Sequence, residues 1–266
     1  MTQTARTKVF FTSDAHLGSG YHQDPLAVEQ RLVRWLQHIE PEARAVYFLG
    51  DMFDYWFEYR AVVPRGYVRF LGQVALMSDR GVEIHFFAGN HDVWFRDYIQ
   101  QELGAQVHHH ALECVLDGKR FRLAHGDEES QSEGWTSAFL YRLFRNPLAQ
   151  LLYGAVHPRW TVGFALNCSL RSRRKGLKRA TLGEVPHAYH NEYFDLEQET
   201  LIRWTKDYAA KHPEIDYYLF GHRHLLVDLA LRGDRRVLIL GDWLRYNSYA
   251  VWDGTALYLD QWEVED

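Results

Sequence analysis

The sequence predicts an α/β fold, with strands that end in polar loops, helices between the early strands, and a strand-rich carboxyl half. Three observations predict it. Six short β-branched or aromatic runs are each followed at once by small and polar residues, the pattern of a buried strand leading into a functional loop. Helical periodicity separates the first three runs. A chain of 266 residues at 47% hydrophobic content can bury one large core and carry an insertion on it.

In order along the chain, VFFTS runs into DAHLG at Asp14, and the pattern Pro25 to Ile39 reads as a helix. VYFL then precedes GDMFD, and a second helical pattern covers Tyr67 to Ser78. IHFFA precedes GNHD, FRLA precedes HGDE, YYLF precedes GHRH, and VLIL precedes GDW. The last apolar runs are Val237 to Leu240, Tyr249 to Trp252 and Ala256 to Trp262. Gly233, Asp234, Asp253 and Gly254 punctuate them, which predicts a terminal β meander. No fixed-period repeat or low-complexity segment interrupts the pattern.

Composition removes several function classes. The start MTQTARTKV lacks the apolar stretch of a signal peptide, and no run approaches the roughly 18 apolar residues that span a bilayer, so the chain is expected inside the cell. Cys114 and Cys168 are too few for a disulfide framework or a thiolate cage. A bound metal must therefore use His, Asp or Asn, and the chain has 15 His.

In open α/β sheets, ligands bind beyond the carboxyl ends of the strands. The strand-then-loop pattern brings Asp14, His16, Asp51, Asn90, His91, His125, His222 and His224 to one such rim. Taken singly, DAHLG and GNHD pass for ordinary turns and GHRH for a loop with two solvated histidines. Together they require five separate strand ends to carry metal-type ligands by accident. Seven or eight hard oxygen and nitrogen donors exceed one ion and suit two divalent metals sharing a carboxylate.

The order Asp-x-His, Gly-Asp, Gly-Asn-His-Asp, His-Gly-Asp, Gly-His-x-His resembles the calcineurin-like metallophosphoesterase superfamily, from Val9 to Trp262. The resemblance implies a four-layer α/β fold, two mixed β-sheets packed face to face and flanked by helices. It implies that Asp14, His16, Asp51 and His224 hold one metal and Asp51, Asn90, His125 and His222 the other, with Asp51 bridging. Asp54 and Asp92 would stand behind the ligands and orient them. His91 would act as the acid or transition-state donor, or else only hydrogen-bond a neighbouring carboxylate. Two such ions activate a water for in-line attack on phosphorus. Manganese is the expected metal, and iron or zinc also suits this donor set.

The segment between the HGD motif and the last strands bears on substrate. Residues 136–180 contain nine Lys and Arg and no Asp or Glu, in a chain of net charge −5, so the rest carries −14. This contrast calls for an anionic partner at one place. The stretch also holds TSAFLYRLF, LAQLLYGAV and WTVGFALNCSL around Pro147 and Pro158, apolar at helical spacing. It reads as a helical lid, greasy inside and basic at its rim, over a metallophosphoesterase core formed by residues 1–135 and 181–266. The bland alternative is a self-packed helical subdomain with a solvated basic edge. Basic residues interleaved with Leu, Phe and Ala, without a track of exposed aromatics, argue against nucleic acid.

With such a lid the chain is similar to the UDP-2,3-diacylglucosamine pyrophosphatase branch, which makes lipid X and UMP in lipid A synthesis. The resemblance implies a lipid-linked UDP-sugar substrate held by Asn90, His91, Arg171, Ser172, Arg174 and Lys175. It also implies a cytoplasmic protein lying peripherally on the inner face of the membrane, with no obligate protein partner. Many members of that branch carry Arg where this chain has His91, and their acidic run after HGD differs from EESQSE. The alternatives are a soluble phosphodiesterase or pyrophosphatase for another UDP-sugar or nucleotide, and a non-catalytic scaffold on the same fold.

Overall fold

A computed structural model describes residues 6–20, 22, 24–130, 135–163 and 196–263. The strands are β1 (Lys8–Thr12), β2 (Ala43–Phe48), β3 (Glu83–Phe87), β4 (Gln106–His108), β5 (Leu112–Leu116), β6 (Lys119–Ala124), β7 (Tyr217–Phe220), β8 (Leu226–Ala230), β9 (Arg236–Leu240), β10 (Ser248–Trp252) and β11 (Leu257–Gln261). All six apolar runs read from the sequence are among them. The first sheet has the order β11-β10-β1-β2-β3-β4 and the second β5-β6-β7-β9-β8. β1 to β4 run parallel, as do β6, β7 and β9. Parallel neighbours point their carboxyl ends the same way, so the polar loops after them gather at one rim.

Alternation along the strands sorts side chains to two faces. On β1 and β2, Val9, Phe11, Ala45 and Tyr47 pack against Phe121, Leu219 and Leu238 of the second sheet. Phe10, Val46 and Phe48 point the other way, onto Leu32, Trp35, Leu36, Phe70 and Val74. Those residues lie on α1 (Pro25–Ile39) and α2 (Val68–Asp79). The outer face of the second sheet, with Tyr218, Phe220, Val237 and Ile239, buries Leu201, Ile202 and Ala209 of the helix Thr200–Lys211. The layers are therefore helix, sheet, sheet, helix. Both faces of each sheet are covered, which explains why the inner strands read as continuous apolar runs.

The helix bounds follow from local chemistry. Asp24 caps α1, accepting from the Leu26 and Ala27 amides, and Pro25 takes the first position, where its missing N–H costs nothing. A short helix α3 (Tyr98–Leu103) precedes β4. The expected terminal meander does not form. β9 pairs with β7 and β8 in the second sheet, and only β10 and β11 form a hairpin, which joins the first sheet through β1. The apolar pattern of the three runs is the same either way, and long-range pairing decides which sheet each joins.

Residues 135–163 contain α4 (Trp135–Arg145), α5 (Pro147–Gly154) and a helical segment at 158–163. Asn146 caps α5 by accepting from the Leu148 and Ala149 amides. This unit is tied to the rim: Trp94 Nε1 donates to Phe144 O (2.6 Å), Arg145 pairs with Asp127 (3.0 Å), and the Tyr55 and Tyr153 hydroxyls lie 3.2 Å apart. Phe139, Leu148, Leu151, Leu152 and Trp160 leave it as an exposed apolar surface. Arg171, Ser172, Arg174 and Lys175 lie outside the described residues. Among the described residues, no helix is long and apolar enough to cross a membrane.

Candidate metal centre

Seven expected ligands stand on five loops, each directly after a parallel strand: Asp14 and His16 after β1, Asp51 after β2, Asn90 after β3, His125 after β6, and His222 and His224 after β7. Five of these seven, Asp14, His16, Asp51, His222 and His224, hold the left-handed backbone, with φ between 43° and 66°. Non-glycine residues rarely accept it, so surrounding bonds must impose it. They are present: the amides of Asp14 and His16 donate to Gly50 O (3.1 Å) and Asp51 O (3.0 Å), the His91 amide to Asp51 Oδ1 (2.8 Å), and the His222 amide to Asp14 Oδ2 (2.9 Å). The loops are also crowded together. A Cβ at Gly89 would lie 2.2 Å from Asp51 Oδ1, and one at Gly221 would lie 2.4 Å from Asp14 Oδ2.

The ring nitrogens converge with their protons directed outward. His125 Nδ1 donates to Leu49 O (2.8 Å), which turns the lone pair of Nε2 toward Asp51 Oδ2 (3.4 Å) and Asn90 Oδ1 (3.3 Å). His222 Nδ1 lies 2.9 Å from the same Asn90 oxygen. On the other side, His16 Nδ1 faces Asp54 Oδ1 (3.4 Å) and His224 Nδ1 faces Asp242 Oδ2 (3.0 Å). Their Nε2 atoms are thereby left 3.2 Å apart, 3.6 and 3.5 Å from Asp14 Oδ1. Asp14 Oδ1 is buried and accepts no hydrogen bond. Lone pairs and carboxylate oxygens pointed at one another need a cation between them, so the donor set fits divalent metal ions.

Without a cation the rings and carboxylates act on each other: burial lowers the His125 imidazole, but Asp51 outweighs it and lifts it well above 6.5. Burial pushes the Asp14 carboxyl upward, but His224, His16 and His125 outweigh it and bring it down to about 2. Burial opposes ionisation of Asp51 too, yet His125 and His91 hold it well below the carboxylate range. His222, partly buried, is lowered to about 3 by desolvation and by the neighbouring His125, which keeps it neutral and able to ligate.

The groups that could grip an ion are Asp14 with His16 and His224, Asp14 with Asp51 and His125, and His16 with Asp51 and His91. His91 thus comes within reach of a metal. Its Nδ1 donates to Asp54 O (3.0 Å), its ring meets that of His16 edge-on at 4.8 Å, and its side chain, 24% exposed, is the most open of these histidines. Asp54 lies behind His16 and His91, 3.4 and 3.7 Å from their Nδ1 atoms. Asp92 meets the backbone of the neighbouring loops. It accepts the amides of Gly89, Asp51 and Phe53, binding the loops after β2 and β3 together, and burial beside Asp51 raises its carboxyl to about 7.

Sequence reasoning assigned no role to Asp242. Its signal was present, since VLIL–GDW has the same strand-then-acid form as VYFL–GDM, but no periodicity shows which ring a carboxylate will face. The backbone acceptor Leu49 O was illegible for a simpler reason, because every residue has a carbonyl.

Comparison with known proteins accords with this geometry. A UDP-2,3-diacylglucosamine hydrolase of Porphyromonas gingivalis is 67% identical over 258 residues, covering 97% of this chain and 98% of that protein. Proteins of the same description from Nitrosococcus oceani and Haemophilus influenzae are 27% and 26% identical, covering 90% and 88% of this chain and 88% and 90% of theirs. The calcineurin-like phosphoesterase family profile matches residues 7–226. That match takes in every candidate ligand from Asp14 to His224, and the chain belongs to the calcineurin-like phosphoesterase family.

Proposed function

We propose that this enzyme hydrolyses the pyrophosphate of UDP-2,3-diacylglucosamine, releasing 2,3-diacylglucosamine 1-phosphate and UMP. One observation carries the reading beyond a general phosphoester hydrolase: a cavity of about 840 Å³ opens beside the metal centre between core and lid. Leu17 and Gly18, which follow the candidate ligand His16, line it with Tyr55, Val63 and Tyr67, and with Val162 of the helical segment at 158–163. Such an apolar hollow suits acyl chains, while the adjoining polar rim suits a diphosphate. The substrate named for the P. gingivalis relative supports the same assignment.

Asp14, His16, Asp51 and His224 would hold one divalent ion and Asp51, Asn90, His125 and His222 the other, with manganese the fitting metal and iron or zinc also suited to the donors. Bound there, two such ions lower the pKa of water and neutralise phosphoryl charge. The protein residues set geometry. Asp51, anchored through Oδ1 by the His91 amide, keeps Oδ2 aimed between the two sets. His91, held at Nδ1 by Asp54 O, presents its other nitrogen, which when the ring carries both protons can donate to the leaving oxygen or the phosphoryl group. Residues 136–180 form the lid, and Arg171, Ser172, Arg174 and Lys175 bind the anionic head. The exposed apolar side chains of α4 and α5, with the exposed Arg142 of α4, suit attachment to the inner face of the cytoplasmic membrane.

The test is turnover by manganese-loaded protein of UDP-2,3-diacylglucosamine, unacylated UDP-N-acetylglucosamine and a chromogenic phosphodiester, followed by phosphorus NMR. The acylated substrate should give UMP and a sugar 1-phosphate with kcat/KM at least about 100-fold above the unacylated one, as expected for burial of acyl chains. Equal rates on both UDP-sugars would favour a soluble nucleotide-sugar pyrophosphatase.

A further inference from the structure

The loop after β9 carries a carboxylate that the family motifs do not include. Asp242 is fully buried. Its Oδ1 accepts the amides of Leu244 (3.0 Å) and Arg245 (2.8 Å), and its Oδ2 lies 3.0 Å from His224 Nδ1. A buried carboxylate strongly requires donors, and the only hydrogen on this face of the imidazole is the one on Nδ1. The loop cannot drift from the metal centre. The Trp243 amide donates to Asp14 O (3.2 Å) and its indole N–H to Thr12 Oγ1 (2.7 Å), pinning the loop after β9 to the one after β1. His224 is itself constrained by a left-handed backbone and a side chain only 16% exposed.

We infer that Asp242 is a positioning residue that holds the proton of His224 on Nδ1 and so reserves Nε2, 3.5 Å from Asp14 Oδ1 and 3.2 Å from His16 Nε2, for a divalent cation. This rests on His224 being a ligand. His125 has its proton fixed by a backbone carbonyl, which mutation cannot remove. His224 depends on a side chain instead, so its affinity for metal can be altered at one position.

Asp242→Asn tests it. The amide keeps the shape but has one acceptor for the work of two, and where its NH₂ faces His224 the ring must accept at Nδ1 and carry its proton on Nε2, which blocks ligation. Chelator-stripped protein titrated with Mn²⁺ and followed by electron paramagnetic resonance should bind two equivalents. In Asp242→Asn one of them should weaken by about 10- to 100-fold while the other is unchanged. On a His224→Ala background the substitution should add no further loss. Two equivalents at unaltered affinity would overturn the inference. So would loss of both ions together with a lowered melting temperature of the metal-free protein, which would make Asp242 a prop of the fold. Should the variant not fold, nitrogen-15 NMR of the metal-free natural chain decides alone: a proton held on His224 Nδ1 upholds the inference, and a neutral ring protonated on Nε2 refutes it. None of these readouts uses a substrate, so they stand or fall separately from the proposed reaction.

Discussion

Asp51, a candidate ligand, and His91, the proposed acid, are joined at this rim by a single hydrogen bond. The His91 amide is committed to Asp51 Oδ1, whereas its side chain keeps 24% of its surface exposed. Removing the ring should leave the amide contact in place. His91→Ala is therefore expected to retain two equivalents of metal, counted by elemental analysis, while kcat falls by about 10² to 10⁴. A loss that follows metal content instead would place His91 among the ligands, as its grouping with His16 and Asp51 allows. His91→Arg should keep substantial activity if the side chain chiefly donates to phosphate, and lose it if proton transfer is required.

Between the strands, β3 and β4 bring two histidines together away from the metal centre. His85 is buried, stacked on Tyr47 at 4.1 Å, with Nδ1 3.1 Å from His108 Nε2. Burial, with His108 adding to it, lowers its pKa from 6.5 to about 4. Below pH 6.5 the unfolded chain takes up a proton at this residue, while the folded chain resists until about pH 4. Stability should therefore fall as pH falls through that window. Urea midpoints measured between pH 7 and pH 4 should show a shallower decline for His85→Phe than for the natural chain. Parallel curves would mean that His85 opens to solvent and titrates normally.

For the molecule as a whole, one stretch of the sequence combines positive charge with apolar residues. Residues 136–180 carry +9 against −14 elsewhere, and α4 and α5 bridge core loops through Trp94, Asp127 and Tyr55. Replacing Arg171, Arg174 and Lys175 with Ala should raise KM for the diacylated UDP-sugar by roughly tenfold or more, and hardly affect a small phosphodiester that depends on the metal centre alone. Leu151→Glu, at a side chain 66% exposed, should discriminate in the same direction and reduce co-sedimentation with anionic vesicles. Equal losses on both substrates in variants with unchanged circular dichroism would count against a lipid-binding lid.

The sequence by itself determined the six strand ends and the donors that follow them, because a strand buried on both faces must be apolar and a ligand must be a polar group placed where that run stops. Its helix α1 was legible to the residue from Pro25 and the spacing of Leu32, Trp35, Leu36 and Ile39. Only the tertiary structure decided that β9 leaves β10 for the other sheet, since pairing partners far apart in the chain leave no local period. It alone set the orientation of the rings as well. Asp242 reaches His224 across 18 residues through the pairing of β7 with β9, and Leu49 O reaches His125 across 76 through the packing of two sheets, and neither bond is written in the spacing of its residues.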